Sequence, residues 1–292
     1  MSFLTKTWLD TEELSPPPSA VSEVRVMNFS ELRTAVDQND RKWLTNLTSD
    51  LYQGIGFILR GAAPRSLREK MLRIAHEYNS TKDVEFYKML DETPNFHRII
   101  DKDITQKYSL YAIKHSFYLY NWNLKTKVEL EFKEAVYEHW RYVKFLAGNQ
   151  MRQYEDNLPS DGQIDRLQIV NYPQGGGELR EHVDPQKNQR IVSGLIMSKI
   201  GEDFTSGGFY FKTKTGTKIN IEDRLEIGDS VMFYGSIPHG VDPIDSHLPL
   251  NWGLDVGRWF IGMFVNDSDH IQGRVTARDS SGSLRPNTTT RG

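Results

Sequence analysis

The fold is decided between residues 166 and 265, which contain the runs RLQIVNYPQGGGELREHVD (166–184), LEIGDSVMFYGSIPHGVDP (225–243) and GRWFIGMFV (257–265). Short apolar segments rich in β-branched and aromatic residues alternate here with glycine-containing turns, as strands and tight turns do. The strand candidates are LQIVNY, RIVSGLIMSKI, FYFKTK, KINIED, SVMFYG and WFIGMFV. This density of short strands is typical of a jelly-roll or a small β-barrel.

Three potential metal ligands lie in this stretch. His182 and Asp184 form an H-x-D pair, and His239 follows the strand candidate SVMFYG. Side chains at positions i and i+2 of a strand point the same way, so the pair can share one ion while Val183 faces away. Two nitrogens and one carboxylate oxygen suit non-haem Fe(II) and leave coordination positions open. The sequence therefore predicts one metal site, in which His247 is the only rival to His239.

Composition and charge narrow the possible functions. The chain has 292 residues, with 36 Lys and Arg against 39 Asp and Glu, for a net charge of -3. No block of like charge forms a binding surface, so we expect no nucleic-acid partner. The absence of cysteine excludes disulfides, thiolate ligands and cysteine nucleophiles. Because no apolar targeting segment or membrane-length run occurs, we expect a soluble, cytoplasmic protein with no membrane partner.

The chain is predicted to form one domain with two flanking tails. Residues 1–24 show little periodicity and are expected to be a flexible N-terminal arm, loosely ordered unless docked. Residues 25–276 form the single domain, with a helical layer at about 25–155 and a β core at about 165–268. The polar tail 277–292 is expected to be disordered.

Helical periodicity dominates the first half of the domain. Apolar residues at three-to-four spacing predict two helices broken near Asn39–Asp40. The run GFILRG (56–61) then predicts a short buried strand, followed by a helix that Ser66 could cap. Residues 126–153 are predicted as one long helix with an apolar stripe. His139 lies in that stripe, so we interpret it as a core histidine and not as a ligand.

The stretch KYSLYAIKHSFYLYNWN (107–123) permits two interpretations. Its aromatic side chains could line a pocket, or they could belong to a half-buried strand, since aromatic residues favour sheets. The pocket candidates are Tyr108, Tyr111, His115, Tyr118, Tyr120 and Trp122. Together with Lys114 and Arg98 they would suit a small, partly anionic metabolite. Lys187 and Arg190 are further candidate cations.

The pattern as a whole resembles the 2-oxoglutarate and Fe(II)-dependent oxygenase superfamily. The run LYQGIGFILRGAAPRSLREKMLRIAHEYNS (51–80) is similar to the N-terminal helix–strand–helix of its isopenicillin N synthase-like branch. The long helix at 126–153 also has a counterpart there. The resemblance implies a double-stranded β-helix (jelly-roll) core flanked by N-terminal and central α-helices.

The same resemblance implies roles for five residues. His182, Asp184 and His239 would bind Fe(II). Arg258 would pair with the distal carboxylate of 2-oxoglutarate, and Tyr172 would reach toward the iron and this cosubstrate.

Two departures from the family pattern concern the expected 2-oxoglutarate site. The branch usually has a serine two positions after the arginine, where this chain has Phe260, so that hydrogen bond must come from elsewhere or be absent. The interval from His239 to Arg258 is also longer than customary, with IDSHLPLNWGLDVG (244–257) inserted.

The implied activity is oxidative decarboxylation of 2-oxoglutarate to succinate and CO2, coupled to O2-dependent C–H oxidation of a small metabolite. An amino-acid-derived or natural-product acid is one candidate. Since Asp184 stands where related halogenases have a small residue, the resemblance implies hydroxylation, desaturation or oxidative cyclisation and not halogenation. Three alternatives stay open: an Fe(II) oxidase of the same fold without 2-oxoglutarate, a non-catalytic cupin-like metal-binding barrel, and a Zn(II) hydrolase or isomerase.

Overall fold

The computed structural model of the protein describes residues 2–79, 87–108, 110–274 and 278–279. The helices in these ranges are α1 (Phe3–Leu14), α2 (Phe29–Asp37), α3 (Arg41–Tyr52), α4 (Leu67–Asn79) and α5 (Lys127–Leu146). The strands are β1 (Glu23–Asn28), β2 (Ile55–Arg60), β3 (Phe96–Ile100), β4 (Ala112–Tyr120), β5 (Gln163–Tyr172), β6 (Gly177–Val183), β7 (Ile191–Ile196), β8 (Gly208–Lys212), β9 (Lys218–Asn220), β10 (Ser230–Tyr234), β11 (His239–Ile244), β12 (Arg258–Asp267) and β13 (Arg278–Asp279).

The strand β4 joins two parts of the sheet. The larger part has the order β1-β2-β10-β7-β12-β5-β4, with β3 also paired to β4, and the smaller part continues as β6-β11-β8-β9. Within β4, His115–Tyr120 pair with β5, whereas Ala112–Ile113 pair with β6. The segment predicted as a helical layer therefore also supplies sheet strands, because β2 pairs with β10 and β4 with β5.

The N-terminal segment is docked on the domain by α1. Leu4 and Trp8 are fully buried and lie one turn apart on the same helix face. The indole Nε1 of Trp8 donates to the carbonyl of Leu146 at 2.7 Å. This differs from the flexible arm predicted for residues 1–24, because the sequence of a short helix does not reveal the surface on which it packs.

The helix α5 begins with a capping box and ends earlier than predicted. The Thr126 hydroxyl accepts from the Glu129 N–H at 3.2 Å, and the Glu129 carboxylate accepts from the Thr126 N–H at 2.8 Å. The helix ends at Leu146 because Gly148 adopts a φ of 92°, the left-handed conformation that terminates helices. The predicted end at residue 153 is therefore wrong. His139 lies fully buried on α5, as expected of a core histidine.

The segment that connects β11 to β12 is fastened to the body of the protein. The carbonyl of Trp252 accepts from the His115 ring at 3.1 Å. At Gly175, with a φ of 87°, an added Cβ would lie 2.3 Å from the carbonyl oxygen of Pro249. Only glycine allows this approach of two backbones, so the glycine turn before β6 and the inserted segment pack on each other.

The tail predicted to be disordered, residues 277–292, lies outside the described residues except for β13. Arg278 and Asp279 of β13 pair with Val183 and His182 of β6. Among the described residues, no helix combines the length and the apolar character needed to cross a membrane.

Candidate metal centre and adjoining cavity

The structure brings the three predicted metal ligands together. His239, the first residue of β11, is the register partner of His182 on β6, and Asp184 follows immediately after β6. Each residue offers one ligand atom, and these atoms lie within 4.8 Å of one another. This His-Asp-His set is buried or nearly so and is of the type that suits iron.

Both histidines are oriented by the backbone. The Nδ1 atoms of His182 and His239 lie 2.9 Å from the carbonyl oxygens of Arg180 and Ile237, respectively. A carbonyl accepts only from a protonated ring nitrogen, so each Nδ1 donates, and in the neutral ring each Nε2 then keeps its lone pair. The Nε2 of His239 lies 3.3 Å from Asp184 Oδ2. The ring nitrogens with free lone pairs therefore point at a position that an ion can share with the carboxylate.

Protonation also favours metal binding at this set. Burial, followed by the effect of His239, lowers the pKa of His182 to about 4, so this ring is neutral at physiological pH. Burial acts to raise the pKa of Asp184, but a hydrogen bond with His239, together with the nearby His182 and Lys114, outweighs it and holds that pKa below its ordinary value. A neutral imidazole beside an ionised carboxylate is the state that binds a metal ion.

A cavity of about 840 Å³ adjoins the triad. This volume lies within the range of about 300–1,000 Å³ that is common for small-molecule sites. Both parts of the sheet contribute to its wall, which includes Tyr172 and Arg258 as well as the triad. The residues expected to bind metal and those expected to bind 2-oxoglutarate therefore face one space.

Arg258 is buried and already has a partner that sequence reasoning missed. Its Nε donates to Glu222 Oε2 at 2.9 Å, and the two side chains are 2% and 1% exposed. The same carboxylate oxygen accepts from the Phe209 N–H at 2.7 Å. No motif signals Glu222, which belongs to a single 3-10 turn between β9 and β10. Where the family pattern expects a serine after Arg258, a buried carboxylate on another element contacts the guanidinium.

Tyr172 is the register partner of Arg258 across β5 and β12. Its side chain is fully buried, and its ring stacks on Phe260 with a centroid distance of 6.0 Å and an interplanar angle of 6°. Among the described residues, its hydroxyl has no hydrogen-bond partner. Burial is also the main cause of a raised pKa at this hydroxyl. A neutral, unpaired hydroxyl at the cavity wall can bond to a ligand.

The aromatic stretch contributes some of its residues to the cavity. Tyr108, Tyr118 and Tyr120 line it, as do the predicted cations Lys114 and Arg98. Burial and then Arg166 lower the pKa of Lys114 to about 8, while Asp184 acts in the opposite direction.

Other candidates from the sequence take part in structural contacts. His115 is fully buried, and its Nδ1 lies 2.9 Å from Nε2 of His97. The guanidinium carbon of Arg180 lies 3.9 Å from the ring centroid of Tyr111.

The two further candidate cations form ion pairs. Arg190 Nε lies 2.6 Å from Glu12 Oε1 of α1, and Lys187 Nζ lies 3.3 Å from Asp267 Oδ2. None of His115, Tyr111, Trp122, Lys187 and Arg190 lines the described cavity. The cavity residues that sequence reasoning missed include Arg166 and Gln168 of β5.

Comparison with known proteins bears on the fold. No family model and no curated protein sequence matches the chain. Among solved structures, full-length T7H of Neurospora crassa in complex with alpha-KG and thymine matches with a TM-score of 0.50 and 14% identity, over 92% of this chain and 97% of T7H. A Pseudomonas putida prolyl-4-hydroxylase matches with a TM-score of 0.47 and 11% identity, over 76% of this chain and 97% of its own.

A third similar structure is a prolyl hydroxylase in complex with a hypoxia inducible factor peptide fragment, from Trichoplax adhaerens. It has a TM-score of 0.45 and 12% identity, over 80% of this chain and 93% of its own. At such low sequence identities, structural similarity is evidence for the fold alone. The match to T7H over nearly the whole of both chains confirms the predicted mainly β fold with a double-stranded β-helix core and flanking helices.

Proposed function

We propose that the protein is a non-haem iron oxygenase that uses 2-oxoglutarate and O2 to oxidise a C–H bond of a small molecule. The observation that carries this proposal is the His182, Asp184 and His239 set, which presents two nitrogens and one carboxylate oxygen at a cavity. Three protein ligands of this kind leave positions open for exchangeable ligands on Fe(II). The double-stranded β-helix fold, shared with T7H, agrees with the proposal.

Different residues of the chain would bind the metal and the cosubstrate. His182, Asp184 and His239 would hold the iron, and Arg258 would pair with the distal carboxylate of 2-oxoglutarate. A planar guanidinium suits a carboxylate because it can donate two parallel hydrogen bonds. The Nε of Arg258 is engaged by Glu222, so its two Nη groups are the donors for this contact. The Tyr172 hydroxyl, unpaired among the described residues, is the second group proposed to contact the cosubstrate.

The iron, when bound, supplies the oxidation of 2-oxoglutarate and of the substrate by O2. For a hydroxylation, R–H, O2 and 2-oxoglutarate give R–OH, succinate and CO2, with one oxygen atom in the alcohol and the other in succinate. The carboxylate of Asp184 would occupy a ligand position on the iron, which favours hydroxylation, desaturation or cyclisation over halogenation. Membership of the isopenicillin N synthase-like branch is part of the proposal, supported by the order α3, β2, α4.

One observation favours a second function, an Fe(II) oxidase of this fold that does not use 2-oxoglutarate. The buried charge of Arg258 is already balanced by Glu222 at 2.9 Å, so a cosubstrate carboxylate is not required to compensate it. A metal-binding barrel without catalysis has less support, because it has no use for a large cavity beside the triad.

An anaerobic optical titration tests these functions against each other. Fe(II) is first added to the metal-free protein, and 2-oxoglutarate is added second. The same titration is done with Arg258→Ala and with the matched control Arg65→Ala, since the Arg65 side chain is 62% exposed. We expect a visible metal-to-ligand charge-transfer band only when both ligands are present. Arg258→Ala should need at least about tenfold more 2-oxoglutarate, as expected when a charge-assisted bidentate contact is lost, and Arg65→Ala should match the wild type. Iron binding without such a band would refute the use of 2-oxoglutarate and favour the oxidase.

A further inference from the structure

The wall of the cavity carries more positive than negative charge. Its basic side chains are Lys88, Arg98, Lys107, Lys114, Arg166, Arg258 and Arg274. The carboxylates among the described wall residues are Asp184 and Asp269. Asp269 lies 2.7 Å from Arg274, and Asp184 belongs to the triad, where a metal ion would balance its charge. The wall therefore favours an anionic ligand.

Contacts with two aromatic rings fix the orientation of one of these cations, Arg166. Its guanidinium carbon lies 5.3 Å from the Tyr118 ring centroid and 5.5 Å from that of Phe264. Its Nη2 donates to the neutral amide of Gln168 at 3.3 Å, and its buried Nε has no hydrogen-bond partner among the described residues. A guanidinium held between two rings keeps a fixed plane. Its donors are therefore available, in a defined direction, to a carboxylate.

Lys114 is the second cation of this arrangement. It lies on β4 on the same face as Tyr118 and Tyr120, and all three line the cavity. Among the described residues its side chain makes no ion pair or hydrogen bond, yet Asp184 and Arg166 are both near enough to influence its charge. Arg166 acts on the pKa of Lys114 because two positive charges that line one cavity repel each other. An anion between them would relieve this repulsion.

The apolar part of the same wall includes several aromatic side chains beside aliphatic ones such as Val192 and Ile196. Phe96 stacks on Tyr118 with a centroid distance of 4.5 Å and an interplanar angle of 25°, and Phe260 and Phe264 line the wall from β12. Such surfaces bind planar apolar groups through burial and offset stacking. The cavity thus combines aromatic wall residues with two cations that have no carboxylate partner among the described residues.

We propose that the substrate is an organic acid with a flat apolar body, whose carboxylate binds between Lys114 and Arg166 and whose body lies against other aromatic residues of the cavity wall. This inference rests on the proposed function only for placing the oxidised C–H bond near the triad. The two acids would bind separate cations: the distal carboxylate of 2-oxoglutarate binds Arg258, and the substrate carboxylate binds the Lys114–Arg166 pair.

The test compares carboxylates with their neutral isosteres. Cinnamate, phenylacetate and indole-3-acetate, each paired with its primary amide, are titrated calorimetrically into the full-length protein. Each titration is done twice, once with the metal-free protein and once with protein loaded anaerobically with Fe(II) and 2-oxoglutarate. The variants are Lys114→Met and Arg166→Met, which keep the apolar length of the side chain, with Arg166→Gln as a second version. The control is Lys127→Met, whose side chain is 89% exposed. Unchanged melting temperatures establish that the variants fold.

We expect at least one carboxylate to bind the wild type about tenfold or more tightly than its amide, as one charge-assisted contact would give. Lys114→Met and Arg166→Met should each remove most of that preference, whereas Lys127→Met should keep it. Equal binding of acids and amides, or no binding of any acid at millimolar concentration, overturns the inference.

The charge-transfer band separates the two proposals. If Lys114→Met and Arg166→Met weaken the band of 2-oxoglutarate as strongly as Arg258→Ala does, the two cations hold the cosubstrate, and the inference is wrong while the proposed function stands. If the wild type forms no band but retains its preference for acids, the proposed function fails and the anion site stands.

Discussion

Arg258 and Glu222 form a buried ion pair, with 2.9 Å between Nε and Oε2 and almost no solvent exposure of either side chain. The pair joins the first residue of β12 to a 3-10 turn 36 residues earlier in the chain. Because the guanidinium is planar, engaging Nε determines where the two Nη groups lie. Glu222 is therefore a positioning residue for the arginine that we propose to bind 2-oxoglutarate.

Glu222→Gln removes the negative charge and keeps an oxygen that can accept from Nε. A buried guanidinium without a counter-charge is costly, so the free energy of unfolding should fall by roughly 1–3 kcal/mol. Saturating 2-oxoglutarate with Fe(II) should stabilise this variant more than the wild type, because its carboxylate supplies the missing charge. Thermal unfolding with and without the two ligands measures this difference. Glu226→Gln, at a carboxylate 48% exposed, is the control, and equal ligand stabilisation in all three proteins would contradict the prediction.

Tyr172→Phe separates the role of the hydroxyl from that of the ring. Since the buried hydroxyl has no partner among the described residues, its removal should leave the free energy of unfolding unchanged or raise it by about 1 kcal/mol. The 2-oxoglutarate concentration at half-saturation of the charge-transfer band should rise about fivefold, as loss of one hydrogen bond gives. Tyr52→Phe is the control, because the Tyr52 hydroxyl does have a partner and donates to the Ser15 carbonyl at 2.7 Å. It should lower stability and leave the titration unchanged. A destabilised Tyr172→Phe with normal titration would assign the hydroxyl a purely structural role.

His239→Ala should weaken Fe(II) binding by more than about tenfold, since even the outer-shell partners of metal ligands contribute 10–100-fold. Anaerobic calorimetric titration with Fe(II) measures the affinity. His247→Ala is the matched control, because His247 lies eight residues further along the chain and is exposed to solvent. Loss of iron binding in His247→Ala with normal binding in His239→Ala would reverse the assignment of the third ligand.

The clustering of the three proposed metal ligands could be predicted because a strand has a fixed period. His182 and Asp184, two positions apart, had to share a face, and the register of β6 with β11 then places His239 opposite His182. Glu222 could not be predicted in the same way. It contacts Arg258 only through tertiary structure, and nothing in the local pattern KINIED distinguishes a carboxylate that becomes buried.

The prediction for the aromatic stretch 107–123 was also incomplete, because it depended on tertiary structure. Alternation along β4 sends Lys114 and Tyr118 toward the cavity, whereas His115 points away and contacts the His97 ring. The sequence contained this alternation, but it did not show which of the two faces lies toward the cavity. Similarly, an i,i+4 pair of apolar residues at the N-terminus did not identify a docked helix, because its partner surface is more than a hundred residues away in the chain.

Trp8→Ala tests whether α1 is docked in solution. Truncating a fully buried tryptophan that also donates to the Leu146 carbonyl should lower the free energy of unfolding by about 3–5 kcal/mol. Leu9→Ala, at the neighbouring residue with 41% exposure, should change it by less than about 0.5 kcal/mol. Urea unfolding curves provide both values. Similar, small effects in the two variants would mean that the N-terminal arm is as flexible as its sequence suggested.

His139 links the stability of the core to pH. Burial lowers its pKa to about 3 in the folded protein, whereas an unfolded chain has a histidine pKa of about 6.5. Between these values the unfolded chain binds a proton that the folded protein does not, so stability falls as the pH drops below about 6.5. At pH 5 this one histidine should account for a loss of roughly 2 kcal/mol relative to pH 7.5.

His139→Gln removes this titration and keeps an amide group that can approach Ser193, which lies 3.4 Å from the histidine Nε2. Between pH 7.5 and pH 5, the variant should lose roughly 2 kcal/mol less unfolding free energy than the wild type, as measured by urea unfolding at each pH. The control His247→Gln replaces a histidine that is exposed to solvent, and the variant should lose as much unfolding free energy between these pH values as the wild type. Since all other histidines are common to the compared proteins, the same pH dependence in wild type and His139→Gln would mean that His139 can be protonated inside the folded core.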